Sequence, residues 1–293
     1  MSGLAATVEE LRSDRSHGAS WMARRAVETL LEVSAQPFDS SDALLEALLG
    51  AGRKLSDSRP GVGAIAGAAG RVLAAASAHR HIDVDELRRL IGEEGNAILD
   101  GRVRAAASIA IQLQDRLKDS VVLTHSASGT VREALVHTPP SRAICTVSEP
   151  VGEGRDFAED LRGEGLSVEL IEDADAPAAL DDATLLLIGA DTVFRDGTLN
   201  NKIGTTAIAE AAAARNVPTV VACEIIKLAP IEAASAPEPN EAERALFELT
   251  PPELLTEIVT EEGATATDCV GALVDRTPFL REGYALLLPT NAL

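Results

Sequence analysis

Asp191, Asn201, Lys202 and Lys227 are apart in sequence but of types that act together in a site. An aspartate can pass a proton to a reacting group, and lysines with an asparagine can hold an anion or a hydroxylated ligand. The chain has only four lysines (Lys54, Lys118, Lys202 and Lys227), and two of them fall in this stretch. That favours an anion site; the plainer reading is a surface salt bridge, cheap in so acidic a protein. A second candidate is the run Val122-Leu123-Thr124-His125-Ser126-Ala127-Ser128-Gly129-Thr130. Its Ser, Gly and Thr residues suit helix-opening N–H groups that face a phosphate. The same residues are common helix caps, so a capped turn competes with the phosphate loop.

The elements around these residues are legible. Residues 184–188 form an apolar run of strand length, followed by a polar loop with Asp196-Gly197 as a turn signal. Residues 203–215 are alanine-rich and helical, Asn216-Val217-Pro218 ends that helix, and residues 219–223 read as another buried strand. Such a unit is a crossover of a parallel sheet, and ligands of such sheets bind beyond the carboxyl ends of the strands. Asp191, Asn201, Lys202 and Lys227 are therefore expected at one rim. Residues 1–118 read as helical throughout, with Ser40 capping a helix to about residue 49 and Asp83 opening one long helix or two. Beyond Ser120 the period changes, with further strands expected at 121–124, 143–147 and 167–171 and helices at 130–136 and 155–162. The expected class is α/β: an N-terminal helical domain, 1–118, followed by a Rossmann-like, mostly parallel α/β domain, 119–293. The last thirty residues carry no pattern that places them.

Composition narrows the function. The 293 residues carry a formal net charge of −20, which argues against direct binding of nucleic acid or of an anionic membrane. Of the 26 basic residues 22 are arginine, and this acid excess with scarce lysine suggests a salt-loving source. Cys145, Cys223 and Cys269 form neither a disulfide framework nor a metal motif, and Cys145 and Cys223 read as small buried hydrophobes. The N-terminus lacks a signal pattern and no apolar run approaches a membrane span, so a soluble cytoplasmic protein is expected.

Gly-Ala-Asp-Thr-Val-Phe-Arg-Asp-Gly-Thr-Leu-Asn-Asn-Lys-Ile-Gly-Thr, at 189–205, resembles the signature of the initiation factor 2B-related family. That family holds regulatory subunits of eukaryotic initiation factor 2B and the isomerases of methylthioribose 1-phosphate and ribose 1,5-bisphosphate. The likeness runs from about residue 16 to about residue 263. The segment Ser16-His17-Gly18-Ala19-Ser20 resembles the family's Arg-Gly-Ala segment with His17 in place of arginine, and Arg59-Pro60 resembles an Arg-Pro pair that opens a pocket-facing helix. Residues 146–150 and 153–155 resemble Thr-Glu-Ser-Arg-Pro…Glu-Gly-Arg, with Val147 and Glu149 replacing the glutamate and an arginine.

The resemblance implies that Asp191 stands where the isomerases place their acid, and Ser126 where ribose 1,5-bisphosphate isomerases carry a catalytic cysteine. It implies that Gly18, Ala19, Arg59, Asn201, Lys202 and Lys227 hold the ligand, a phosphorylated sugar or nucleotide, with no metal or other cofactor. A thiol, with a reference pKa of about 8.5, cycles protons near neutrality; an alcohol is far less acidic and needs an adjacent base. His17, Ser126 and Glu149 thus favour an initiation factor 2B-like regulatory or ligand-binding protein, with an aldose–ketose isomerase of the ribose 1,5-bisphosphate type as the alternative. The resemblance also implies a homo-oligomer, to which apolar residues at 254–259 and the C-terminal tail are expected to contribute.

Self-repulsion of the net charge of −20 weakens the fold at low ionic strength. The melting temperature is expected to rise from low to multimolar potassium chloride; a flat or falling trend contradicts the salt-loving reading.

Overall fold

The computed structural model describes residues 2–288; Met1 and 289–293, the end of the expected α/β domain and its tail, lie outside it. Five helices come first: α1 (Ser2–Ser13), α2 (Ala19–Ser34), α3 (Ser41–Ser58), α4 (Gly63–Ala78) and α5 (Val84–Leu117). Ser40 and Asp83 cap α3 and α5 by accepting from the Ala43 and Asp85 N–H groups. α3 runs past residue 49 because Ala51, Gly52 and Leu55 extend its buried face. α5 is one helix of 34 residues.

The α/β part follows as β1 (Val121–Thr124), α6 (Gly129–His137), β2 (Arg142–Thr146), α7 (Gly154–Gly163), β3 (Val168–Ile171), α8 (Ala176–Ala179) and β4 (Leu185–Ile188). Then come β5 (Thr192–Phe194), β6 (Leu199–Lys202), α9 (Thr205–Ala214), β7 (Thr219–Ala222), β8 (Leu228–Ala229), α10 (Glu241–Arg244) and β9 (Phe247–Thr250). The chain closes with β10 (Glu257–Thr260), β11 (Gly263–Thr265), α11 (Val270–Asp275) and α12 (Pro278–Leu287). The main sheet has seven strands in the order β11-β10-β7-β4-β1-β2-β3, parallel except for β11. Its central strands are apolar on both faces, as a sheet covered on both sides requires. The strand order reverses between β1 and β4, and there a crevice opens beyond their carboxyl ends.

The loop expected after Gly189 is instead a hairpin, β5–β6, in a second sheet ordered β8-β5-β6-β9. Its turn is the anticipated Asp196-Gly197, where Gly197 takes φ +82. β6 carries Asn200, Asn201 and Lys202, all buried, so no polar–apolar alternation marks it in sequence.

Many apolar residues of the C-terminal part are used internally. Leu255, Ile258 and Val259 are buried in the chain's own core, which leaves them unavailable for self-association. α12 returns to the first helices and packs on α4, where Gly70 and Gly283 meet backbone to backbone. The clusters also cross the expected boundary: Leu113 and Leu117 of α5 pack with Val122 of β1 and Leu135 of α6.

α4 also presses on the turn that carries Lys227. A Cβ at Gly67 would lie 1.9 Å from the Ile226 carbonyl oxygen, so only glycine fits. Gly67→Ala should cost about 2–3 kcal/mol in urea unfolding, because backbone must move. A change below about 0.5 kcal/mol, the range of neutral surface substitutions, would contradict this packing.

Candidate functional site

A cleft of about 380 Å³ lies at the crevice, bounded by the sheet's loops on one side and the first helices on the other. All eight residues named from the sequence line it: Gly18, Ala19, Arg59, Ser126, Asp191, Asn201, Lys202 and Lys227. Gly18 is the N-cap of α2, and Ser128 caps α6, so two helix amino ends face the cleft. Arg59, at the α3–α4 junction, is 1% exposed. Its Nε donates to the Leu11 carbonyl at 2.8 Å, its Nη2 to the Asp14 carbonyl, and its Nη1 has no partner.

Ser126 is held in the left-handed region, φ +67, by a chain of hydrogen bonds behind it. His125 is buried, which holds its imidazole below the ordinary range and neutral at pH 7. The Ile203 carbonyl 2.9 Å from Nε2 can only accept, so the proton is on Nε2. Nδ1 then accepts from the Thr146 hydroxyl at 2.7 Å, Thr146 Oγ1 accepts from Ser148 Oγ at 2.9 Å, and Ser148 Oγ accepts from the Ser126 N–H at 2.8 Å. Every hydroxyl in this chain has a partner, so the turn is rigid.

The Ser126 hydroxyl itself donates to Glu153 Oε1 at 2.6 Å, and Lys202 Nζ pairs with Glu153 Oε2 at 2.9 Å. Glu153 thus ties the carboxyl end of β1 to the end of β6. Its only mark in the sequence was a place in the Glu-Gly-Arg segment; the contacts span 27 and 49 residues. Asn201 Nδ2 donates to Thr205 Oγ1 at 3.1 Å, which itself donates to the Lys202 carbonyl at 2.6 Å. Lys227 pairs with Glu224 at 3.3 Å, and Ser20 Oγ donates to Glu224 Oε1 at 3.0 Å. Burial opposes charge on both partners, yet the pair holds Glu224 below and Lys227 above their ordinary values. Asp191 follows β4, and among the described residues none donates to its carboxylate. Burial pushes it up to about 6, although Lys227, Lys202 and Arg59 pull it down.

His17 and Glu149 differ in their relation to the cleft. His17 lines the cleft, its Nδ1 2.7 Å from Asp14 Oδ2 and its ring stacked on Trp21 at 3.9 Å. Glu149 does not line it: the side chain is exposed, 3.7 Å from Arg155, so it adds no negative charge to the pocket wall. Val147 is likewise turned into the core, 1% exposed. Cys145 and Cys223 are buried and burial pushes each thiol up to about 12, so neither is a nucleophile. Among the described residues no group of three or more His, Cys, Asp or Glu could hold a metal ion, and no helix is long and apolar enough to cross a membrane.

The model of the Initiation factor 2 subunit family matches residues 15–245. The chain belongs to that family. An eIF-2B subunit 2-like protein of Pyrococcus furiosus is 31% identical over 87% of this chain and 94% of its own length. A ribose 1,5-bisphosphate isomerase of Archaeoglobus fulgidus is 28% identical over 94% of this chain and 93% of its own. The fold is shared with the tetrameric eIF2B-beta2-delta2 complex from C. thermophilum, at a TM-score of 0.79 and 21% identity over 93% of each chain. The initiation factor 2 subunit family therefore joins this chain both to translation-factor-like proteins and to sugar-phosphate isomerases.

The raised Asp191 carboxyl gives a prediction with a definite sign. Its folded value, about 6, exceeds the ordinary 3.8, so the ionised form costs stability. That cost is full above about pH 6, shrinks as the pH falls toward 4, and is absent below it. Asparagine mimics the neutral acid, so Asp191→Asn should stabilise the ligand-free protein at pH 8 by up to about 3 kcal/mol. At pH 4 the two proteins should melt alike. Equal stability at both pH values would show that Asp191 is not held in a dry site.

Proposed function

We propose that the cleft binds a phosphorylated sugar or nucleotide and that the chain is an initiation factor 2B-like protein whose role is regulatory binding rather than turnover. The cleft lies at the order reversal of a mostly parallel sheet, where ligands of such sheets bind. Arg59 with a free Nη1, Lys202, Lys227 and the α2 amino end line it and offer donors to an anion. The observation that carries the choice is at Ser126: its hydroxyl is bound to Glu153, which is in turn paired to Lys202. A carboxylate is a weak base toward an alcohol, and acid–base catalysis needs matched proton affinities. The Ser126–Glu153 contact therefore acts as a tether between β1 and β6. One observation favours the isomerase reading: Asp191, at about 6, holds a proton near neutrality, as ring opening requires. The translation-factor-like relatives and the tetrameric neighbour support assembly of this chain into an oligomer.

Calorimetric titration with ribose 5-phosphate, ribose 1,5-bisphosphate and methylthioribose 1-phosphate in high salt tests the proposal. At least one should bind, and Lys202→Ala should weaken it by about 10- to 100-fold, the worth of a charge-assisted contact. The same samples should show no isomer. Isomerisation by the wild type that is lost in Asp191→Asn would overturn the regulatory reading in favour of the enzyme.

A further inference from the structure

Behind the wall of the main cleft lies a second cavity, of about 600 Å³, between α2, α5 and α6. Buried polar side-chain atoms without a partner are rare in folded proteins, and each asks for an explanation. Among the described residues Arg59 Nη1, Arg102 Nε and Thr130 Oγ1 have none, while Glu224 Oε2 has only its 3.3 Å ion pair to Lys227. Arg59 lines the main cleft, and Arg102, Thr130 and Glu224 line the second cavity. Thr130 is 2% exposed, so water outside the cavity does not satisfy its hydroxyl.

The arrangement has a chemistry. Arg102 supplies a cationic donor, Thr130 a hydroxyl, and the first turn of α6, a helix of 9 residues, its free N–H groups. These donors converge from two elements on one space, as a tetrahedral oxyanion needs. Burial holds the Arg102 guanidinium below its ordinary value, with the field of Glu224 opposing that, so an anion would relieve a desolvated cation. Glu224 does not repel it at full strength, because Lys227 and Ser20 hold its carboxylate from the other side. At the rim, Asp100 and Glu133 are acceptors suited to hydroxyl groups.

We propose that this cavity is a binding site for a phosphate monoester of a polyol, separate from the main cleft. The phosphate lies against Arg102, Thr130 and the α6 amino end, and the hydroxyls lie toward Asp100 and Glu133. The two sites share a wall: Ser20 and Gly129 line both, and Glu224 touches Lys227 on one side and the second cavity on the other. Occupancy of one therefore changes the field at the other, and the coupling is reciprocal.

The test is calorimetric titration of the full chain with ribose 5-phosphate, using wild type, Arg102→Met, Thr130→Val and Lys202→Ala. Melting curves without ligand establish that each variant folds. The wild type should bind two equivalents. Arg102→Met should remove one and leave the other, and Thr130→Val should weaken the same one by about 10-fold, the worth of one hydrogen bond. Lys202→Ala should weaken the other equivalent only. If Arg102→Met does not fold, Thr130→Val decides alone. A single equivalent that ignores Arg102→Met and Thr130→Val, or no binding at all, would overturn the second site and leave the cavity to ordered water. An Arg102-dependent equivalent with none dependent on Lys202 would instead sustain this site and sink the reading of the main cleft.

Discussion

A buried guanidinium holds the site together. Arg59 is 1% exposed, and desolvating a charge that cannot be shed costs several kcal/mol unless its donors are used. The Leu11 and Asp14 carbonyls take two of its nitrogens, which fastens α1 and the turn before α2 to the α3–α4 junction. That turn carries His17, Gly18 and Ala19 to the mouth of the cleft. The third nitrogen is left without a partner, a cost that the proposed ligand anion would remove. The helical layer is thus stapled by the residue whose unpaired donor, on the proposed reading, demands the ligand.

The sheet side meets this demand with few moving parts. Ser126 and Asp191 follow β1 and β4, neighbouring strands on either side of the order reversal, so the sheet itself sets their spacing. Glu153 then draws β1 and β6 together through Ser126 and Lys202. Glu248, on β9, accepts from the Gly204 and Thr206 N–H groups at 3.0 and 2.7 Å, so the amino end of α9 already has its anion. The ends of α2 and α6 remain to face ligands.

Much of this was legible in the sequence, for identifiable reasons. β1 was read to the residue because Val121–Thr124 is apolar and bounded by turn residues. The gathering of Asp191, Asn201, Lys202 and Lys227 followed from strand order alone, since loops after parallel strands share one rim. The hairpin was missed because β6 buries Asn200, Asn201 and Lys202, polar residues that serve Gly61, Thr205 and Glu153. β10 and β11 are short strands at the sheet's edge, and their place depends on β7 rather than on their own pattern. Glu149 shows that a motif position need not be a pocket position, since its side chain turns to Arg155 at the surface. The second cavity left no trace, since Arg102, Thr130 and Glu224 meet only after α2, α5 and α6 have packed.

On the proposed reading, the cleft is an anion site whose charge balance the ligand completes, with Asp191 poised to take up a proton. A bound phosphate monoester adds negative charge beside a carboxyl held near 6, which must raise it further. Titration of ribose 5-phosphate at pH 7 in buffers of different ionisation enthalpy measures the protons exchanged on binding. The wild type should take up more protons than Asp191→Asn, by an appreciable fraction of a proton per ligand. The same exchange in both proteins, or net release specific to the wild type, would contradict it.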